Sequence, residues 1–286
     1  PNRIGLAAGF DKNGYFIDSA QALGFGHLEV GAITPRPQPG HPRPRLFRVP
    51  GKAALRNRMG FNNQGVEAIY PRLPATRGRI VVGINLGKGL DTPLENAQDD
   101  YLAVLRATYP RADYYSINIS SPNTANLRQL GSGEALRALC RELVAGNSAE
   151  AERRGLRKRP LWIKISPDST PEELDELATV AMESGLDGII ATNTTVRREG
   201  DYAGIPDVGG LSGAPLRERS LAVVSQLRRT VGPGVPIVGV GGVLSVADAL
   251  TMRAVGADLV QIYTGFIYGG PLMPSKLAAA LRKDKI

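Results

Sequence analysis

The stretch Asn118-Ile119-Ser120-Ser121-Pro122-Asn123-Thr124 gathers hydroxyls and carboxamides behind a short β-rich run at residues 114–117. A run that ends so abruptly in polar groups and a proline reads as a buried strand opening into a polar site. Its chemistry would be hydrogen bonding to a polar ligand or, with a histidine and a carboxylate beside Ser121, nucleophilic attack. The same residues also make ordinary turns, so the other apolar runs decide. They close in the same way: Asp11-Lys12, Thr34, Asn85, Lys164, Thr192-Asn193-Thr194, Gly241-Gly242 and Tyr263-Thr264-Gly265 follow seven further runs. One such end is weak evidence, whereas eight converging on one rim make a site.

What the rim lacks narrows the chemistry. Of the two histidines, His27 begins a strand and belongs to the opposite rim, and His41 sits in a proline-rich loop, so no Ser-His-Asp triad assembles around Ser121. No cluster of His, Cys or paired carboxylates suits a metal or glycoside hydrolysis. Two lysines, amides and hydroxyls remain, a set for an anionic, planar ligand. Val240-Gly241-Gly242-Val243 and Tyr263-Thr264-Gly265-Phe266 follow the seventh and eighth runs, where a barrel often holds a phosphate on backbone N–H groups. Neither is a dinucleotide fingerprint and there is no P-loop. A mononucleotide such as FMN, with one phosphate and a planar ring, fits better.

The elements that must position these residues alternate. Strands are expected at 4–8, 27–33, 80–84, 114–117, 161–165, 188–191, 236–240 and 259–262. Helices follow at 14–23, 65–70, 93–108, 134–145, from 171, and at 216–230, 246–255 and 272–281. Asp91 or Thr92 would cap the 93–108 helix with Pro93 first. Thr170, Pro171 and Glu173 spell a capping box, and Leu174, Leu177, Ala178 and Ala181 share one face of the helix behind it. Five prolines in residues 34–44 exclude helix and central strand and mark an excursion or lid. Residues 200–213 read as a glycine-rich loop. Eight strand-then-helix units predict an α/β fold, a (β/α)8 TIM barrel, as one domain over residues 1–286.

Composition agrees. The 286 residues are 42% hydrophobic, enough for one large barrel. The single cysteine, Cys140, excludes an internal disulfide and reads as a buried thiol. The net charge of +8 raises nucleic-acid binding, but the basic residues are dispersed, and the dense run Arg153–Arg159 reads as a solvated loop. No membrane span or signal peptide is visible. The start at Pro1-Asn2-Arg3 reads as a cut chain with an N-terminal segment missing.

Five motifs carry a resemblance over essentially the whole chain. They are Ala7-Ala8-Gly9-Phe10-Asp11-Lys12, Asn57-Arg58-Met59-Gly60-Phe61-Asn62-Asn63, the 118–124 stretch, Ala191-Thr192-Asn193-Thr194, and Gly209-Gly210-Leu211-Ser212-Gly213. Their set resembles the dihydroorotate dehydrogenase family, specifically its class 2, quinone-dependent branch. The resemblance implies an FMN enzyme of pyrimidine synthesis that oxidises dihydroorotate to orotate and reduces a quinone. It makes Ser121 the base, with Thr124 and Phe61 shaping its proton path and Lys164 beside the flavin; class 1 enzymes carry cysteine in place of this serine. By the same matching, Lys12, Asn57, Arg58, Met59, Gly60, Phe61, Asn118, Asn123, Asn193 and Thr194 would hold orotate. FMN would rest on Ala8, Gly9, Phe10, Asp11, Lys12, Ala32, Asn85, Asn118, Lys164, Thr192, Gly213, Gly242, Tyr263 and Thr264. Ala32 stands where the family often has threonine, and the class 2 N-terminal helices have no counterpart here. The branch implies a peripheral place on the cytoplasmic side of the cell membrane, through the missing segment. Rival readings are a soluble class 1 type enzyme using fumarate or NAD, and a flavin-free basic module for anionic polymers.

Overall fold

The computed structural model describes residues 2–75, 80–120 and 133–283. Eight parallel strands close a barrel: β1 (Ile4–Leu6), β2 (His27–Ile33), β5 (Val81–Leu86), β6 (Tyr114–Asn118), β7 (Leu161–Ile165), β8 (Gly188–Ala191), β10 (Ile237–Val240) and β11 (Leu259–Ile262). β1 pairs with both β2 and β11, which seals the ring. The expected (β/α)8 barrel is therefore the fold. Helices α1 (Ile17–Ala22), α2 (Val66–Ile69), α3 (Ala97–Thr108), α4 (Gly133–Arg154), α5 (Pro171–Glu183), α6 (Arg217–Val231), α7 (Val246–Ala254) and α9 (Met273–Lys283) lie between or after the strands. The main core sits between the strands and these helices, because each strand turns alternate side chains outward. A smaller cluster, Ala7, Ile190, Val238 and Val240 with Trp162, Leu259 and Tyr263, fills one half of the barrel interior.

The other half of that interior is polar. Glu29, Asn85, Ser116, Lys164 and Gln261 are all buried there. At the amino end of the strands His27 is buried, and burial lowers its pKa to about 4 against the pull of Glu29, so it is a neutral packing residue. Gly83 leaves the space that the Tyr114 ring occupies; a Cβ there would meet the ring at 2.2 Å.

Several local expectations change. The 34–44 excursion leads into β3 (Leu46–Val49) and β4 (Ala54–Asn57), and the loop expected at 200–213 ends in β9 (Gly210–Gly213). These three form an antiparallel sheet beside the barrel mouth. The 93–108 helix begins later, at α3, with Asn96 at its N-cap. Pro93 is extended, at ψ 154°, and Lys88 Nζ donates to the Thr92 carbonyl at 2.5 Å, which ties the preceding loop back instead. α4 runs past the expected stop at 145, since Gly146 leaves room for Leu102 and the Asn147 side chain is buried between Tyr109 and Arg159.

The basic run expected to be solvated is also partly built in. Glu150 takes Arg153 and Arg154 at 2.5 Å each, and Arg159 is buried with its guanidinium on the Tyr109 carbonyl. The α5 capping box forms as read: the Glu173 N–H donates to Thr170 Oγ1 at 3.2 Å, and the Thr170 N–H to Glu173 Oε2 at 2.8 Å.

Candidate active site

At the carboxyl ends of the barrel strands lies a cavity that is open to solvent. The strand register explains its polar floor: Asn85 lies beside Ser116, and Asn118 beside Lys164. Neighbouring strands thus place polar side chains side by side at two successive inward-facing positions. The Asn118 amide donates to Asn85 Oδ1 at 3.1 Å, and the Asn193 amide to Asn118 Oδ1 at 3.3 Å and Ser120 Oγ at 3.1 Å.

Two ammonium groups face this cavity. Burial first, then Arg45 and Lys164, lowers the pKa of Lys12 to about 8. Burial also lowers that of Lys164, while Glu29 opposes the shift. Among the described residues neither ammonium has a carboxylate at ion-pair distance. A desolvated cation without a counter-ion is costly, and an anionic ligand in the cavity relieves that cost.

The far wall is glycine. Gly242 has φ +73°, and a Cβ would sit 2.3 Å from Arg217 Cα, so only glycine lets this backbone pass and leave its N–H groups to a ligand. Thr264 begins a short helix, α8 (Thr264–Gly269), in a stretch to which the sequence reading assigned no element; its Oγ1 bonds Ser212 Oγ at 2.8 Å, joining β9 to the barrel. Opposite, Phe61 is buried in the cavity wall with φ +51°, a left-handed conformation unusual for a bulky residue. The Asn63 carboxamide holds it there, donating to the Phe61 carbonyl and Thr34 Oγ1, each at 2.8 Å.

The expected residues Ala8, Gly9, Lys12, Ala32, Asn57, Met59, Gly60, Phe61, Asn85, Asn118, Lys164, Thr192, Asn193, Thr194, Gly213, Gly242, Tyr263 and Thr264 all line the cavity. Three do not. Phe10 packs on Phe16, Tyr263 and Phe266. The Asp11 carboxylate accepts the backbone N–H groups of Asn13, Gly14, Tyr15 and Phe16 at 2.8–3.1 Å, and the Arg58 guanidinium donates to the Pro44 carbonyl. Ser121, Asn123 and Thr124 lie outside the described residues. The sequence reading missed Ser212 and Gln261 in the wall; a glutamine interrupting the apolar run 259–262 was the available signal for the second.

The lysine pair, the amide floor and the glycine wall fit a flavin mononucleotide: cations for negative charge on the ring, donors and acceptors for ring edges, and close backbone approach for a phosphate. A sequence profile of the dihydroorotate dehydrogenase family matches residues 1–284. The chain is 50% identical to the dihydroorotate dehydrogenase (quinone) of Alkalilimnicola ehrlichii, across 99% of this chain and 84% of the other. It is 51% identical to that of Methylibium petroleiphilum, across 99% and 83%. A solved structure of DHODH in complex with ferulenol from Eimeria tenella superposes with TM-score 0.91 at 37% identity, covering 98% of this chain and 80% of that one.

Proposed function

The chain belongs to the dihydroorotate dehydrogenase family, and on that premise we propose how its residues divide the work. It oxidises dihydroorotate to orotate in pyrimidine biosynthesis, with quinone as the electron acceptor. The cofactor is a flavin, here read as FMN held by residues 1–286 acting as one catalytic unit. When bound, the flavin would supply the two-electron redox chemistry between dihydroorotate and the quinone. The observation that carries this reading is the pair of buried ammonium groups, Lys12 and Lys164, with no carboxylate at ion-pair distance among the described residues, over an amide floor.

Each role follows from chemistry at a stated atom. Asn57, Asn118, Asn123, Asn193 and Thr194 hold the substrate's ring amides and carboxylate by hydrogen bonds, with Met59, Gly60 and Phe61 closing the apolar side. Lys12 supplies positive charge for the carboxylate or flavin edge, and Lys164 for negative charge on the flavin ring. Ser121 Oγ takes the proton from the substrate ring carbon. A serine hydroxyl is a weak base and must hand that proton on, which is the part given to Thr124 and the wall at Phe61. Ser121 rather than cysteine supports quinone over a fumarate- or nicotinamide-linked partner. A quinone is a lipid, so peripheral association with the cytoplasmic face of the cell membrane suits the acceptor. Among the described residues no helix is long and apolar enough to cross a membrane.

The test is the visible spectrum of the holoprotein without oxygen. Dihydroorotate bleaches the flavin band, and quinone restores it faster than fumarate or NAD. In Ser121→Ala the protein stays yellow and still binds orotate, while bleaching slows by about two orders of magnitude or more, the usual worth of a positioned base. Near-normal bleaching in that variant sinks the role of Ser121.

A further inference from the structure

The eight barrel strands carry one carboxylate, Glu29, and one ammonium, Lys164. Glu29 is 0% exposed and has no part in the roles given above. It receives two carboxamides: Asn85 Nδ2 donates to Oε2 at 3.0 Å, and Gln261 Nε2 to Oε1 at 2.7 Å. Beyond Asn85 the bonds all run one way. Asn85 Oδ1 accepts from Asn118 Nδ2, Asn118 Oδ1 accepts from Asn193 Nδ2, and Asn193 Oδ1 accepts from the Thr194 N–H at 2.8 Å.

A carboxamide has a donor end and an acceptor end, so such a chain keeps its direction only if its ends agree. At the rim the end is a backbone N–H, which can only donate. In the barrel it is the Glu29 carboxylate, whose two oxygens both accept, one from each carboxamide. We propose that Glu29 is a positioning residue: its carboxylate terminates the chain Asn193→Asn118→Asn85→Glu29 and so fixes which atoms Asn118 and Asn193 present to the substrate. Hydrogen bonds to a carboxylate terminus strengthen such a chain, and the attraction of Glu29 opposes the lowering of the Lys164 pKa that burial causes. The inference rests on the reading of Asn118 and Asn193 as orotate ligands.

The test uses the flavin-loaded protein and compares Glu29→Leu, Glu29→Gln and Asn193→Ala. Orotate binding is followed by its perturbation of flavin absorbance, with KM and kcat for dihydroorotate and the thermal midpoint beside it. Leucine leaves the Asn85 donor without its carboxylate acceptor, and orotate affinity falls about tenfold or more, the cost of an orphaned buried donor, with KM rising more than kcat falls. Glutamine still offers Oε1 to Asn85 while Gln261 turns its amide, and affinity stays within about threefold, since the acceptor is kept. Parent-like binding in Glu29→Leu overturns the proposal, as does a glutamine variant as weak as the leucine one. If Asn193→Ala binds orotate like the parent, the ligand reading of Asn193 fails and the proposal with it; if only Asn193→Ala is weakened, the positioning role alone fails. Should Glu29→Leu not fold, Ser116→Ala replaces it, because Ser116 Oγ is the other acceptor for Asn85, at 2.9 Å. Retained affinity there leaves Glu29 as the terminus, and a tenfold loss transfers the role to Ser116 and overturns the proposal.

Discussion

Two residues of one type, Lys12 and Lys164, set the electrostatics of the cavity, and both owe their lowered pKa first to burial. Lys12 loses its proton as pH rises through about 8, so its attraction for an anion is present below that value and lost above it. Bound anion pulls the pKa back up, which is the same linkage seen from the ligand side. Orotate affinity in the holoprotein is therefore level in the neutral range and declines above pH about 8, by at most about tenfold per pH unit for one proton. Titration of the flavin absorbance with orotate at several pH values measures it, and Lys12→Met flattens the profile while weakening binding throughout. A parent whose affinity holds unchanged through pH 9, about one unit above that pKa, would remove Lys12 from the binding of the anion.

At the scale of elements, the polar ends of the strands need rigid turns to hold them. Asp11 does this after β1: one carboxylate collects four successive backbone N–H groups and replaces the first turn of a helix, so α1 starts at Ile17 rather than at residue 14. The turn also carries Lys12, which ties its geometry to the site. Asp11→Ala strips hydrogen bonds from four backbone donors, one in a buried bond and three in part-buried ones, and costs about 1–3 kcal/mol. The thermal midpoint then falls by about 2–4 °C per kcal/mol for a chain of this size, read by scanning calorimetry. A midpoint equal to the parent's would show that water satisfies those N–H groups equally well. The β3–β4–β9 sheet plays the complementary part, bringing Asn57 and Gly213 to the mouth from segments about 150 residues apart in sequence, as the Asn57–Gly210 and Ala54–Gly213 pairings record.

For the whole molecule, the barrel holds a polar half and an apolar half inside one ring of strands. Buried cations and a glycine-lined wall make an anionic ligand in the cavity favourable. Ligands that bind only the folded state stabilise it by mass action, about 2.7 kcal/mol at a hundredfold excess over Kd. FMN added to flavin-stripped protein raises the thermal midpoint, orotate raises it further, and 0.5 M salt, at a Debye length of about 4–5 Å, diminishes the orotate increment less than it would for an exposed site. Differential scanning fluorimetry reads all three. An orotate increment that vanishes in salt would place the anion at the surface.

Much of this was legible in the chain. The alternation of short apolar runs with helical stretches specified the barrel, and the residue after each run specified its rim, since both signals are local in sequence. Lys12, Asn85, Asn118, Lys164 and Asn193 were found that way and do meet. Local signals could not assign Asp11, whose carboxylate turns to its own backbone, or Arg159, which is drawn under Tyr109 by packing. Nor could they reveal that Glu29 meets Gln261, 232 residues away. Strand closure decides that contact: the register of a closed barrel determines which inward side chains share a level, and that register is a property of all eight strands together.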